Sequence, residues 1–219
     1  MLKSYIYILT VMLLMVVCIN SIYTARKHAP AKIKALAVSV LIIEALRLIA
    51  CAVLFSCDNI IFLYILKYFS HLNSAVVPIA ALISFYIFYR SEKIRFDYVI
   101  IPCVLIVICY LAAVFNLDYY IKRTELYGYC IYFENWFYVQ FIQIILLSFI
   151  LAGGILALGR KVANNKGLML VVMAAAAAAA EVVMQAFNVE LLANCILGDA
   201  VWLLVLQYAL NTMKYSKSR

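Results

Sequence analysis

Residues 35–56, ALAVSVLIIEALRLIACAVLFS, form a continuous apolar run interrupted only by Glu44 and Arg47. A transmembrane helix needs about 20 mostly apolar residues, so the run is long enough to cross a bilayer. The two charges argue the other way, at about 2.5–3.5 kcal/mol each near the centre of a helix. Three residues apart on a helix, however, they share a face and can neutralise each other. Counted as a span, this stretch is the second of seven, the others covering approximately 4–23, 60–89, 98–117, 135–159, 167–187 and 191–213. Left out, it would reverse the sidedness of every later connection.

Composition agrees with the span count. The 219 residues are 69% hydrophobic and 13% charged, with mean hydropathy +1.06, against roughly 45–50% apolar and 25% charged in a soluble domain. That excludes a soluble globular protein. The net charge of +8 would suggest a nucleic-acid partner in a polar chain, but here the basic residues lie between apolar runs, so no nucleic acid is expected and the partner is the lipid bilayer. A run of 20 residues beginning after Lys3 also reads as a span and not as a secretory leader, because it exceeds an ordinary leader core and no small-x-small cleavage site follows it.

Lysine and arginine are retained on the cytoplasmic side. The first connection carries Arg26, Lys27, Lys32 and Lys34, the third Arg90, Lys93 and Arg95, the fifth Arg160, Lys161 and Lys166, and the tail Lys214, Lys217 and Arg219: thirteen in all. The opposite connections and the amino terminus hold three: Lys3, Lys122 and Arg123. This alternation predicts an all-α, seven-span bundle over residues 1–213, amino terminus outside, with a short basic cytoplasmic tail at 214–219 in the plasma membrane.

Ionisable groups within spans face the bundle and pair. Glu44 and Arg47 are expected to satisfy each other. Arg47, Lys67, His71, Glu181, Gln185 and Asp199 all fall in the outer half or near the midplane of their spans, so with Glu44 they are candidates for one outward-facing polar pocket that takes a small ligand. Each has a plainer reading: Glu44–Arg47 as a packing ion pair, His71 as a packed polar group, and Lys67 snorkelling to the surface, since residues 68–89 span alone. Pro78 is expected to kink the third span. The seven alanines at 174–180, before Glu181, predict a centrally packed sixth span, and Gly153 and Gly154 offer a similar close-packing surface on the fifth.

The only long connection, residues 116–134 (NLDYYIKRTELYGYCIYFE), lies outside and is too aromatic for disorder. Tyr127, Tyr129, Tyr132 and Phe133 around Gly128 are read as a short extended lid, whereas Trp136 and Tyr138 are read as the aromatic belt of a membrane interface. Cys57 and Cys130 are the two of seven cysteines that fall in outward connections, and they are candidates for a disulfide; the alternative is two unrelated thiols. No C-x-x-C pair, nucleotide-binding glycine loop, H-E-x-x-H or G-x-S-x-G is present, so neither metal, cofactor nor catalysis is expected.

The polar stretch before a proline in the third span (HLNSAVVP, residues 71–78), the aromatic outer loop ending in Trp136, Arg160 and Lys161 closing the long fifth span, Gln185 late in the sixth, and QYALN (207–211) leading inward from the seventh form a recognisable layout. It resembles the seven-helix membrane region that precedes GGDEF (diguanylate cyclase) or histidine kinase output domains in Gram-positive bacteria. The resemblance implies a sensor whose last helix signals to an output domain. No such domain lies within these 219 residues, so the expected partner is a cytoplasmic signalling domain, a separate protein or a second copy of the chain. A small-solute transporter built as a three-one-three helix plan and a non-catalytic assembly subunit are the competing readings.

Overall fold

The computed structural model describes residues 2–56, 60–89, 96–124, 127–160, 163–187, 189 and 192–216. Cys57 lies outside these, as do Arg90, Lys93, Arg95, Lys161, Lys217 and Arg219. Helix α1 (Leu2–His28) stops at Ala29–Pro30, where the proline disfavours helical geometry in the residue before it. Its ring sits comfortably ahead of α2 (Ala31–Ser56), and the Pro30 carbonyl accepts from the Lys34 amide at 2.8 Å. Then follow α3 (Ile60–Ser70), α4 (Asn73–Tyr89) and α5 (Asp97–Asn116). After a two-stranded hairpin come α6 (Phe137–Ala157), α7 (Asn165–Ala186), a 3₁₀ turn at Ala193–Cys195 and α8 (Ile196–Ser216). Among the described residues, seven helical spans are long and apolar enough to cross a membrane, α3 and α4 together making the third.

The third span is broken, which corrects the expectation of one helix kinked at Pro78. The interruption lies at His71–Leu72, upstream of the proline. Pro78 has no N–H and its ring presses on the carbonyl of Ser74. The turn before it is tightened by Ser74 N–H donating to His71 O (3.1 Å) and Ala75 N–H to Leu72 O (3.0 Å). Two serines compete with the helix in the same place: Ser70 Oγ donates to Lys67 O and Ser74 Oγ to His71 O. The broken span is also the most buried of the seven, and α5 the least. Helix α4 packs on α2, α5, α6, α7 and α8. The alanine-rich α7 is therefore not the centre of the bundle: Ala174, Ala175 and Ala178 are buried while Ala176, Ala177 and Ala180 are exposed. Gly154 of α6 does provide close approach, since a Cβ there would meet Val172 Cγ2 at 2.7 Å.

Polar contacts sort the connections into two ends. Lys32 pairs with Asp97 at 2.6 Å, Arg160 bonds the Tyr89 hydroxyl, and Asn164 N–H donates to Phe88 O, so the basic connections gather at one end. At the other, strands β1 (Tyr119–Thr124) and β2 (Gly128–Phe133) pair antiparallel, with Tyr119 opposite Phe133 and Thr124 opposite Gly128. Gly128 has φ +73°, and a Cβ there would lie 2.8 Å from Leu54 O, so the hairpin rests backbone to backbone on the end of α2. Only glycine fits both demands.

Candidate functional site: a buried ionic triad at the start of α8

Arg47 lies nine residues before the end of α2, about 14 Å along the helix at 1.5 Å per residue, near the middle of a 30 Å hydrocarbon core. Its guanidinium is 0% exposed, and Glu44 and Asp199 are each 1% exposed. Arg47 Nη1 donates to Glu44 Oε1 at 3.1 Å and also to Asp199 Oδ2 of α8. Arg47 Nε donates to the Ser70 carbonyl at 3.4 Å, a group freed by the break between α3 and α4. The expected Glu44–Arg47 pair is thus a triad in which two carboxyls share one guanidinium. Glu44 Oε2 and Asp199 Oδ1 are buried without a hydrogen-bond partner among the described residues. The thiols of Cys18 on α1 and Cys51 on α2 are fully buried beside the triad.

Asp199 meets a mid-helix arginine although it stands only three residues into α8, because α8 begins inside the bundle. Its first amide groups therefore have no water to donate to, and a helix start buried without acceptors is unstable. Glu181 supplies the acceptors: Oε1 takes the Leu197 N–H at 3.2 Å and Oε2 the Gly198 N–H. Glu181 itself is five residues from the end of α7, about 8 Å deep. A Cβ at Gly198 would sit 2.9 Å from Glu181 Oε2, so the glycine keeps the carboxylate seated. A carboxylate on a helix N-terminus is also favoured by the helix dipole.

Gln185, one turn beyond Glu181, accepts from Gln140 Nε2 of α6 at 3.1 Å and from the Cys195 thiol at 2.8 Å. Cys195 has φ +53°, a conformation that costs roughly 1–2 kcal/mol for a residue with a Cβ, and its thiol contact helps hold the turn that admits α8. His71 Nε2–H donates to Ile131 O of the hairpin at 2.8 Å, and its ring packs on Phe133 (5.3 Å) and Trp136 (4.7 Å).

The seven residues read as one pocket therefore divide. Glu44, Arg47 and Asp199 form the triad; Glu181 and Gln185 brace the entry of α8; His71 ties the helix break to the hairpin. Lys67 stands apart: its ammonium lies 4.2 Å from the Tyr119 ring centroid and 4.9 Å from that of Tyr68, and it makes no ion pair among the described residues. Of the loop aromatics, Tyr127 and Phe133 are buried, while Tyr129 and Tyr132 are half-buried. Tyr127 meets Tyr7 of α1 edge-on at 5.3 Å. Trp136 stacks on Phe133 at 5.0 Å, so it belongs to this packing and not to a peripheral belt, whereas Tyr138 is 68% exposed. Cys130 is buried, with its sulfur 3.7 Å from Thr124 Oγ1; its proposed partner Cys57 falls outside the described residues.

Sequence reading missed Ser70, Gln140 and Cys195. Ser70 contributes a backbone carbonyl, which no side-chain pattern reveals, but the Gln140 amide in an apolar span was a visible signal. No protein-family model matches the chain, and no curated protein matches it.

Proposed function

We propose that this chain is the membrane-embedded sensor module of a bacterial signalling system in the plasma membrane, amino terminus outside, relaying an outer stimulus through α8 to a cytoplasmic output domain or partner. One observation supports this above others. A continuous polar route runs from the hairpin carbonyl of Ile131 to His71, through the adjoining Ser70 carbonyl to Arg47, and on to Asp199 at the start of α8. Displacing the hairpin moves the helix break, and the helix break carries one of the anchors on the guanidinium that fixes α8. A stimulus acts only by favouring one of two arrangements over the other. The sidedness rests on the thirteen-to-three distribution of basic residues.

The test uses the full chain in nanodiscs with a spin label at Met213. Perturbing the hairpin should alter label mobility or position, and proteoliposomes should show no solute uptake. Reporters fused to the two ends should appear on opposite faces; the same face for both sinks the proposal. A transporter remains the second reading because discontinuous helices near buried charges build transporter sites, and the third span is discontinuous at His71–Leu72. Saturable uptake that Asp199→Asn abolishes would favour it.

A further inference from the structure

Helices α5 and α6 are joined by the hairpin yet stand apart, α5 leaning chiefly on α4 and α6 on α7 and α4. Between them, floored by α4, lies a cleft of ≈ 380 Å³, within the size range of small-molecule sites. Leu105 of α5 and Ile142 of α6 line it and are exposed, so it opens sideways, toward the bilayer. The lining is apolar but for Ser74, Cys109, Tyr110, Asn116, Tyr138 and Gln143, and three of these are already engaged. Ser74 Oγ donates to His71 O, Tyr110 hydroxyl to Tyr68 O, and Asn116 Nδ2 to Ala112 O. Gln143 differs. It is 6% exposed, lines the cleft, and makes no hydrogen bond to any described residue. Gln140, one turn earlier on the same helix, spends its amide on Gln185.

A carboxamide facing hydrocarbon without a partner is unfavourable, and one in the wall of an apolar cleft is complementary to an apolar molecule with one hydrogen-bonding group. Gln143 lies six residues into α6, about 9 Å below the hairpin end, a depth at which a charged headgroup is heavily penalised. We propose that this cleft binds a long-chain neutral lipid, an elongated hydrocarbon carrying one uncharged hydroxyl or carbonyl, with that group on the Gln143 amide and the chain running between α5 and α6. A second cleft on the other face of α5, ≈ 360 Å³ and bounded by Val40, Tyr68, Ile79 and Phe115 among others, has no buried amide. Its polar groups are the hydroxyls of Tyr68 and Tyr110, and the latter already donates to Tyr68 O. The site is independent of the relay through α8, and either can fail alone.

The test is photolabelling of the full chain in nanodiscs with a diazirine derivative of hexadecanol, followed by peptide mapping. Labelling should concentrate on α5 and α6 around Cys109 and Gln143. Unlabelled hexadecanol should compete at least tenfold better than hexadecane, and geranylgeraniol should match hexadecanol if the hydroxyl and not the chain type is recognised. Gln143→Leu should erase the advantage of alcohol over alkane. Ala113→Phe, which fills the cleft and leaves Gln143 in place, should remove the labelling and serves if the first variant does not fold. Equal competition by hexadecane, labelling spread evenly over exposed faces of α1 and α5, or an unchanged pattern in both variants overturns the proposal.

Discussion

Replacing Arg47 with methionine keeps an unbranched side chain at the centre of the bundle and removes the guanidinium that Glu44 and Asp199 share. Removing one partner from a buried ion pair costs about 3–5 kcal/mol, because the remaining charge is left uncompensated. Both carboxyls are stranded here, so the upper half of that range applies. A chain of this size shifts its midpoint by roughly 2–4 °C per kcal/mol, which gives a fall of about 8–20 °C. The assay is thermal unfolding in detergent followed by a thiol-reactive fluorophore. Cys18 and Cys51 are fully buried beside the triad and report its opening, while the exposed Cys109 sets a prompt baseline. The control is the triple replacement Glu44→Leu, Arg47→Met, Asp199→Leu. Apolar residues in place of a whole buried ionic group are often neutral or stabilising by about 1–4 kcal/mol, so the triple variant should recover most of the loss. A midpoint within about 3 °C of the parent for the single variant, or a triple variant as unstable as the single one, would refute the triad.

Three smaller perturbations follow from particular contacts. Gly198→Ala places a methyl 2.9 Å from Glu181 Oε2 and unseats the acceptor of the α8 amides, a capping loss of about 0.5–2 kcal/mol that a thermal midpoint detects; Gly198→Ala combined with Glu181→Gln should cost little more than either alone. Gly128→Ala combines a φ of +73° with a backbone clash at Leu54 O, costing at least about 1–2 kcal/mol; it should detach the hairpin and shift Trp136 fluorescence to longer wavelength as water reaches the ring. Lys32→Ala breaks a pair whose partners are 63% and 42% exposed, so stability should change by no more than about 1 kcal/mol and the remaining difference should vanish in high salt.

The span count, the approximate helix limits and the extended character of residues 128–133 were legible because each is a short-range property: apolar length, or alternation around a glycine. Two things were not. The break at His71–Leu72 arises from Pro78 six residues away acting with two serines on the backbone, and a proline alone marks a distortion without locating it. The sharing of Arg47 by two helices was hidden as well. Sequence spacing paired it with Glu44, three residues off, and offered no measure of how deep α8 begins. That depth depends on the 3₁₀ turn at Ala193–Cys195, a feature without periodicity. Glu181 shows the same limit in another form: it was visible as an intramembrane acid, yet its role as the cap of another helix is set by where that helix starts. Lys67 kept two readings, pocket member or snorkelling cation, because an aromatic ring and a carboxylate are equally acceptable company for an ammonium, and only tertiary structure sets it against Tyr119 and Tyr68.

A buried ionic group that an apolar substitution would match or improve in stability needs another reason to exist, and register or switching is the best-attested one. In this bundle the guanidinium has acceptors on α2, on the end of α3 and on α8, so rotating any one of them redistributes the bonds without emptying the site. Asp199→Asn isolates that property from stability. It leaves Arg47 balanced by Glu44 alone, a neutral pair, and the amide oxygen still accepts, so the loss should stay within the 1.5–3 kcal/mol of one charged hydrogen bond and the protein should fold. Coupling is then read as a cycle. With a spin label at Met213, Gly128→Ala should shift the spectrum in the parent and shift it less in the Asp199→Asn background, because the hairpin then reaches α8 only through a neutral acceptor. An identical shift in both backgrounds would show that hairpin and last helix communicate through packing elsewhere, and the triad would then be a structural brace only.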